Sequence, residues 1–102
     1  MKVVFLPEFV SRLDDLEHYV ANELSSPDAA SKLVDEIVDG CAVLEMFPYL
    51  GRTVVSENRP ESEYRWILVR HYIVLYGISD GFVLISNLVD ARSDELSRIV
   101  KR

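Results

Sequence analysis

Three apolar runs separated by turn sequences, all within residues 64–92, constrain the fold of this chain more than any other feature. Residues 64–69, 72–78 and 82–89 are rich in Val, Ile, Leu, Tyr and Trp, most of which favour β-strands. Arg70-His71 and Ser79-Asp80-Gly81 separate the runs at spacings typical of tight hairpin turns. Because each run is apolar on both faces, the sequence predicts a sheet with helices against one face and a partner or substrate surface on the other.

The first half of the chain predicts one strand followed by two helices. Residues 2–6 form a β-rich run that ends at a proline, which indicates an edge strand. Residues 8–24 then carry one apolar stripe at helical spacing, formed by Phe9, Leu13, Leu16, Val20 and Leu24. A second helix is predicted from Pro27 to about Met46, with Ser26 as its N-cap, and the short link between the helices predicts an antiparallel hairpin.

The remaining segments complete an α+β layout. Residues 52–55 are expected to form a further strand, residues 56–63 a polar loop, and residues 94–102 a short last helix with its acidic residues first. The predicted order is strand, two helices, four strands and a helix. We therefore expect a single domain over residues 1–102, with the helices packed on one face of a mainly antiparallel sheet.

Composition and charge exclude several classes of protein. No apolar run approaches the roughly 18 residues needed to span a bilayer, so no membrane partner is expected. The single cysteine predicts neither a disulfide nor a zinc site, so we expect no metal or cofactor and a reducing, cytoplasmic location. Residues 1–51 carry ten acidic and three basic side chains, whereas residues 52–102 carry seven acidic and eight basic ones. Any nucleic-acid contact would therefore depend on a local arginine patch.

Three motifs of the chain together resemble the RelE/ParE superfamily of toxins from type II toxin–antitoxin systems. They are the opening strand with Pro7 and the helical hairpin; the spacing Leu44-x-x-x-Pro48-x-x-Gly51; and Tyr64-Arg65, followed by the run from Tyr72 to Tyr76 and by Asp90-Ala91-Arg92. The resemblance implies a RelE-like fold. It also implies a cognate antitoxin, which would bind the exposed edges of the sheet.

The resemblance leaves three activities open. RelE-like members cut mRNA on the ribosome, ParE-like members inhibit DNA gyrase without catalysis, and a third class would be inactive binding modules. Our leading expectation is metal-independent, ribosome-dependent mRNA cleavage. By resemblance, Arg65 and Arg92 would then hold the scissile phosphate, since a guanidinium group binds two phosphate oxygens at once. Arg52 and Arg70 would assist substrate binding, and Asp90, which stands where related nucleases place a histidine, would be the third catalytic residue and could act as the base.

The general acid and base are where this sequence departs from the nuclease pattern. Residues 91–102 contain neither His nor Tyr, and an exposed Asp with a pKa of roughly 4 is a poor acid at neutral pH. His71 lies in a predicted turn, where we expect an ordinary surface residue. This departure favours the gyrase alternative. Four arginines distinguish the activities: Arg52, Arg65, Arg70 and Arg92. If their side chains converge on an open cleft, RNA cleavage is favoured. If each pairs with an acidic side chain, a binding function is favoured.

Overall fold

The computed structural model describes residues 1–54 and 64–93, and within them two helices pack on one face of a five-stranded sheet. The helices are α1 (Pro7–His18) and α2 (Pro27–Ala42), and the strands are β1 (Lys2–Phe5), β2 (Arg52–Thr53), β3 (Arg65–Val69), β4 (Tyr72–Ser79) and β5 (Phe82–Asp90). The predicted α+β class is confirmed. The predicted loop over residues 56–63 and the predicted helix over residues 94–102 lie outside the described residues.

The sheet is mixed, with one parallel pair at its edge. Its strand order is β1-β5-β4-β3-β2; β1 pairs with β5 in parallel, and the other three pairs are antiparallel. The two hairpin turns fall where the sequence predicts them. Asp80 and Gly81 both have positive φ angles, 52° and 81°, as the tight turn between β4 and β5 requires. No helix within the described ranges is long and apolar enough to cross a membrane.

The first helix departs from its predicted course at its end. A π-helical turn, Tyr19–Glu23, follows α1, and its wider ring rotates the following residues away from the stripe of the helix. Phe9 and Val20 are buried as predicted, but Leu24 is 57% exposed, so its assignment to the apolar stripe is wrong. Ser26 stands at the N-cap of α2, yet its side chain makes no capping hydrogen bond. Its carbonyl instead accepts the amide of Ala30 at 3.0 Å.

Gly40 allows α2 to lie close to the sheet. A Cβ atom on this residue would lie 2.7 Å from Cγ2 of Val69 on β3, which is closer than packed side chains approach. Gly40 therefore permits a close contact between α2 and β3. Beyond it, α2 continues into a 3-10 turn, Val43–Glu45, which brings the chain to the far end of the sheet.

The main core lies between the helices and the sheet. It contains Phe9, Ile37, Cys41, Leu44, Tyr72, Val74, Tyr76, Val83, Ile85 and Leu88. A register shift between Leu75 and Tyr76 leaves Ser86 as an extra residue on β5. This bulge lets both Ile85 and Leu88 face the core. A smaller buried cluster on the opposite face contains Ile73, Leu75 and Val89, which explains why the strand sequences are apolar on both faces.

Two leucine substitutions test this packing directly. Leu44 is fully buried, so Leu44→Ala is expected to lower the free energy of unfolding by about 2–5 kcal/mol. Leu24 is displaced from the core by the π-helical turn, so Leu24→Ala is expected to cost less than about 0.5 kcal/mol. Urea unfolding followed by circular dichroism measures both changes. Equal costs for the two variants would contradict the packing described here.

Candidate functional site

The hydroxyl group of Tyr76 connects the sheet to the loop that follows α2. Tyr76 is a fully buried residue of β4. Its hydroxyl donates a hydrogen bond to the carbonyl of Pro48 at 2.8 Å and accepts one from the amide of Gly51 at 2.9 Å. Burial raises the pKa of Tyr76, so its phenol keeps the proton that the first of these bonds needs. One buried oxygen thereby fixes both ends of the segment from Pro48 to Gly51.

Arg65 contacts the same loop from the neighbouring strand. Arg65 and Tyr76 are partners in the β3–β4 register, so their side chains lie on the same face of the sheet. Nη1 of Arg65 donates to the carbonyl of Gly51 at 2.8 Å and to that of Tyr49 at 3.3 Å. Its guanidinium carbon also lies 5.1 Å from the centre of the Tyr49 ring, within cation–π range. Arg65 therefore binds protein carbonyls in this structure.

Glycine is needed at position 51 for lack of space and not for its backbone conformation, because Gly51 does not have a positive φ angle. A Cβ atom would lie 2.6 Å from the Tyr76 hydroxyl oxygen and 2.7 Å from the Trp66 carbonyl oxygen. Arg52, the next residue, pairs with Trp66 in the β2–β3 register and lies on the opposite face of the sheet from Arg65. Its guanidinium carbon lies 6.0 Å from the centre of the Trp66 ring. Arg52 and Arg65 are adjacent along the sheet edge but do not face one substrate.

The other two candidate arginines lie at the end of the sheet where β3 turns into β4 and β5 ends. Both line a groove of about 620 Å³ between the helical hairpin and this end of the sheet. Its apolar wall is formed by residues of α1, of the π-helical turn and the link after it, and of α2, namely Leu16, Val20, Leu24 and Leu33. Lys32, His71 and Asp90 contribute polar groups. We call this feature the hairpin groove.

Both arginines of the hairpin groove already have carboxylate partners. Arg70 makes a two-point ion pair with Glu36, in which Nη2 donates to Oε1 at 2.9 Å and Nε donates to Oε2. This hydrogen-bonded pair lowers the pKa of Glu36 and raises that of Arg70. Arg92 donates from Nε and Nη2 to the two oxygens of Asp90 at 3.4 and 3.5 Å. A phosphate would have to compete with a carboxylate at each position.

Asp90 is held as a carboxylate by Arg92. Burial by itself would raise the pKa of Asp90, but the Arg92 backbone amide, which donates to Oδ1 at 2.8 Å, and the Arg92 guanidinium together lower it. An aspartate with a lowered pKa is ionised at neutral pH and has no proton to give to a leaving group. Its two oxygens also accept the Arg92 hydrogen bonds, which reduces their availability as a base.

Within residues 1–54 and 64–93, none of the shifted pKa values is shifted toward neutral pH. Burial raises the pKa of Tyr72, and burial raises that of Cys41 to about 12. The structure therefore offers no tuned acid–base pair among its described groups. The same residues contain no cluster of His, Cys, Asp and Glu side chains that could hold a metal ion.

His71 differs from the surface residue that the sequence suggests. It lies in the turn between β3 and β4, where Arg70 adopts a positive φ angle of 55°. Its ring packs at 4.2 Å, centre to centre, against the ring of Tyr72, and its Nε2 atom is buried without a hydrogen-bond partner. The expectation of an ordinary surface histidine is wrong.

The predicted site residues thus form two separate groups. Arg52 and Arg65 lie at one end of β3, and Arg70 follows its other end, about 16 Å away at the usual rise per strand residue. Arg92 and Asp90 lie with Arg70 at the hairpin groove. The structure therefore does not bring Arg65 and Arg92 together on one phosphate. Their roles in catalysis stay predictions.

Sequence reasoning overlooked the loop that Tyr76 and Arg65 hold. Four large apolar side chains there are strongly exposed: Met46 by 79%, Phe47 by 57%, Tyr49 by 62% and Leu50 by 60%. The available signal was a dense apolar segment, residues 46–50, placed between a helix and a strand rather than inside either. We call these four side chains the apolar tip.

Comparisons with known proteins identify the family. A family model described as ParE toxin of type II toxin-antitoxin system, parDE, matches residues 3–95. A solved structure titled "Chromosomal ParDE TA system from P. aeruginosa" is similar to this fold, with a TM-score of 0.73 and 20% sequence identity. The similarity covers 90% of this chain and 97% of that chain. No curated protein matches the sequence.

The fold, together with the spacing of Leu44, Pro48 and Gly51 after the second helix, is that of the RelE/ParE class of toxin. Within that class, the match over nearly the whole length means that this chain belongs to the ParE family of type II toxins. The expected resemblance is confirmed, and so is the RelE-like fold.

Removal of one oxygen tests the role of Tyr76. Tyr76→Phe leaves the Gly51 amide and the Pro48 carbonyl without their partner, so we expect the free energy of unfolding to fall by about 1–3 kcal/mol. Tyr19→Phe is the matched control, because Tyr19 is 54% exposed, and it is expected to change stability by less than about 0.5 kcal/mol. Chemical denaturation gives both values. A neutral Tyr76→Phe substitution would show that the hydroxyl does not hold the loop.

Proposed function

We propose that this chain is a toxin that acts by binding DNA gyrase, and that it does not cut RNA. The family match favours this proposal, because ParE-like members of the superfamily inhibit gyrase. The observation that carries it is the separation of the four candidate arginines. A phosphoryl-transfer site needs its cations aimed at one point, where negative charge develops in the transition state. Here the arginines are divided between two ends of a strand.

The partners of the arginines point the same way. Arg65 donates hydrogen bonds to the carbonyls of Tyr49 and Gly51, and Arg70 pairs with Glu36. Arg92 pairs with Asp90. These contacts leave each of the three groups engaged within the protein, as expected for residues that build a binding surface. A nuclease would instead keep such cations available for its substrate.

The charge of the chain is also better suited to a protein target. The net charge is −6, and ten of the acidic residues lie in residues 1–51, which supply both helices. Ribosomal RNA is a polyanion, so approach to the ribosome would be opposed by this field. A protein target imposes no such general penalty.

Cleavage of mRNA is the second candidate, and the hairpin groove is where it would occur. Lys32, Arg70 and Arg92 supply three cations beside the buried Nε2 atom of His71. For this groove to bind a phosphate, the ion pairs with Glu36 and Asp90 would have to open. Arg65 would then serve only to hold the loop, and the acid and base would have to come from His71 and Asp90.

A cognate antitoxin is the second partner that we propose. Type II toxins of this family act as one half of a toxin–antitoxin pair, and the chain belongs to that family. Both edges of the five-stranded sheet are formed by short strands, β1 and β2. An added antitoxin strand at such an edge would gain main-chain hydrogen bonds. We place both partners in the cytoplasm.

Parallel readouts separate the two activities. Wild type, Arg92→Ala and Arg70→Ala are expressed in bacteria while mRNA integrity and plasmid supercoiling are measured in the same cultures. We expect growth arrest with loss of supercoiling, with intact mRNA, and with both alanine variants within about threefold of wild type in gyrase inhibition.

The nuclease alternative predicts a different pattern. Loss of an arginine that stabilises the transition state lowers a rate by about 100-fold or more. Translation-dependent mRNA cuts that disappear in Arg92→Ala, with supercoiling unchanged, would overturn the proposed function. Purified gyrase titrated with the purified chain provides the matching test outside the cell.

A further inference from the structure

Three side chains of the apolar tip, Met46, Phe47 and Leu50, are not required to be apolar by the hydrogen bonds that hold the loop, whereas the ring of Tyr49 lies within cation–π range of Arg65. Within the described residues, the hydrogen bonds from Tyr76 and Arg65 to this loop use its backbone atoms: the carbonyls of Pro48, Tyr49 and Gly51, and the amide of Gly51. The amide of Leu50 also donates to the carbonyl of Phe47 at 3.1 Å, which closes the turn. Serine or asparagine side chains at the tip would leave these bonds in place.

Exposure of four large apolar side chains to water in one short loop is thermodynamically unfavourable. Single exposed apolar residues are common on protein surfaces, but contiguous patches mark sites of interaction. Aromatic and methionine side chains are enriched in the centres of protein interfaces. The tip holds Met46, Phe47, Tyr49 and Leu50 within five residues of sequence, each of them more than half exposed.

The tip is also rigidly presented. Tyr76 is fully buried and bonds both ends of the loop, while Arg65 bonds two of its carbonyls. A loop fixed before binding loses less conformational entropy when it docks, which strengthens a small interface. Tyr76, which is buried, and Arg65, which is half-buried, thus both hold the backbone of an exposed apolar loop in one conformation.

The shape of the tip selects among partners. A peptide segment that wraps around a protein binds in one of two ways. It pairs as a strand with an unpaired sheet edge, which satisfies its backbone hydrogen bonds, or it lays the apolar face of a helix into a groove. The tip side chains do not line the hairpin groove, and they belong to a turn rather than to a strand. An exposed turn of large apolar side chains is best covered by a partner with a preformed apolar pocket. Arg52, the exposed residue that follows Gly51, lies beside the tip, so an acidic group on the rim of that pocket would complement it.

We infer that the apolar tip is the surface through which this toxin contacts its target protein, which is gyrase under the function proposed above, on which this inference rests. Phe47 and Leu50 are the anchors, and Arg65 is a positioning residue that acts through the loop. The antitoxin would use the main-chain edges of the sheet, as proposed above, and not the side chains of the tip. The acidic helical half, which an anionic lipid surface would repel, argues against a membrane as the partner.

A separation-of-function experiment tests this inference. The double variant Phe47→Ser/Leu50→Ser is compared with wild type and with Leu68→Ser, a matched control on β3 that is 57% exposed. Each is assayed for inhibition of purified gyrase, for growth arrest, for affinity to the co-expressed antitoxin, and for binding to vesicles of phosphatidylcholine with phosphatidylglycerol. Thermal unfolding verifies that all three chains fold, as expected for exposed substitutions.

The expected result is a loss confined to the target. Gyrase inhibition and growth arrest should weaken about tenfold or more in the double variant, as for interface anchors, and stay within about twofold in Leu68→Ser. Antitoxin affinity should stay within about threefold of wild type for both. Unchanged inhibition by the double variant would overturn the inference. So would loss of antitoxin binding alone, or vesicle binding that depends on the tip.

Failure of the proposed function has a separate signature. If wild type arrests growth without any effect on gyrase, the gyrase proposal fails, and the arrest assay still decides the role of the tip. Arrest that the double variant relieves then supports the tip as the contact with another target. Arrest that the double variant leaves intact overturns it, and absence of arrest by folded wild-type protein overturns both.

Discussion

A single buried hydroxyl group, that of Tyr76, joins the sheet of this protein to the loop after its second helix. The bond to the Pro48 carbonyl and the bond from the Gly51 amide give two backbone polar groups of the loop a partner within the protein, in place of water. Gly51 can approach this closely only because it has no Cβ atom. Arg65, the register partner of Tyr76, completes the arrangement through two further carbonyls. Pro48 and Gly51 of the leucine–proline–glycine spacing therefore meet at one junction, and Leu44 belongs to the core beneath the helices.

This junction changes how the arginines are interpreted. In the sequence, Arg65 stands where the resemblance suggests a phosphate ligand, but in the fold its hydrogen bonds go to backbone carbonyls. Arg70 and Arg92 lie at the other end of β3 and are each matched by a carboxylate. The chemistry that results is that of a surface with fixed shape and balanced charge. Such a surface is suited to a protein partner that complements it, which is the basis of the function proposed above.

Much of the fold could be predicted because local patterns and tertiary structure agree. The Asp80-Gly81 turn requires positive φ angles, and the sequence places there the residues that tolerate them. The π-helical turn that exposes Leu24 could not be predicted, since helical spacing assumes a constant number of residues per turn. The role of Arg65 was equally hidden, because its partners are backbone atoms 14 and 16 residues away. The pairing of Arg70 with Glu36 depends on how α2 packs on the sheet, which no local pattern contains.

Hydrogen exchange at the Gly51 amide tests most directly whether the buried Tyr76 hydroxyl holds this loop. The amide donates to that hydroxyl, so it should exchange as slowly as amides in the centre of β4 and require a large opening of the structure. In Tyr76→Phe, the same amide should exchange at the rate of an exposed loop while the centre of β4 remains protected. Fast exchange of the Gly51 amide in the wild-type protein would contradict the account, because the loop and its apolar side chains would then lack a fixed geometry.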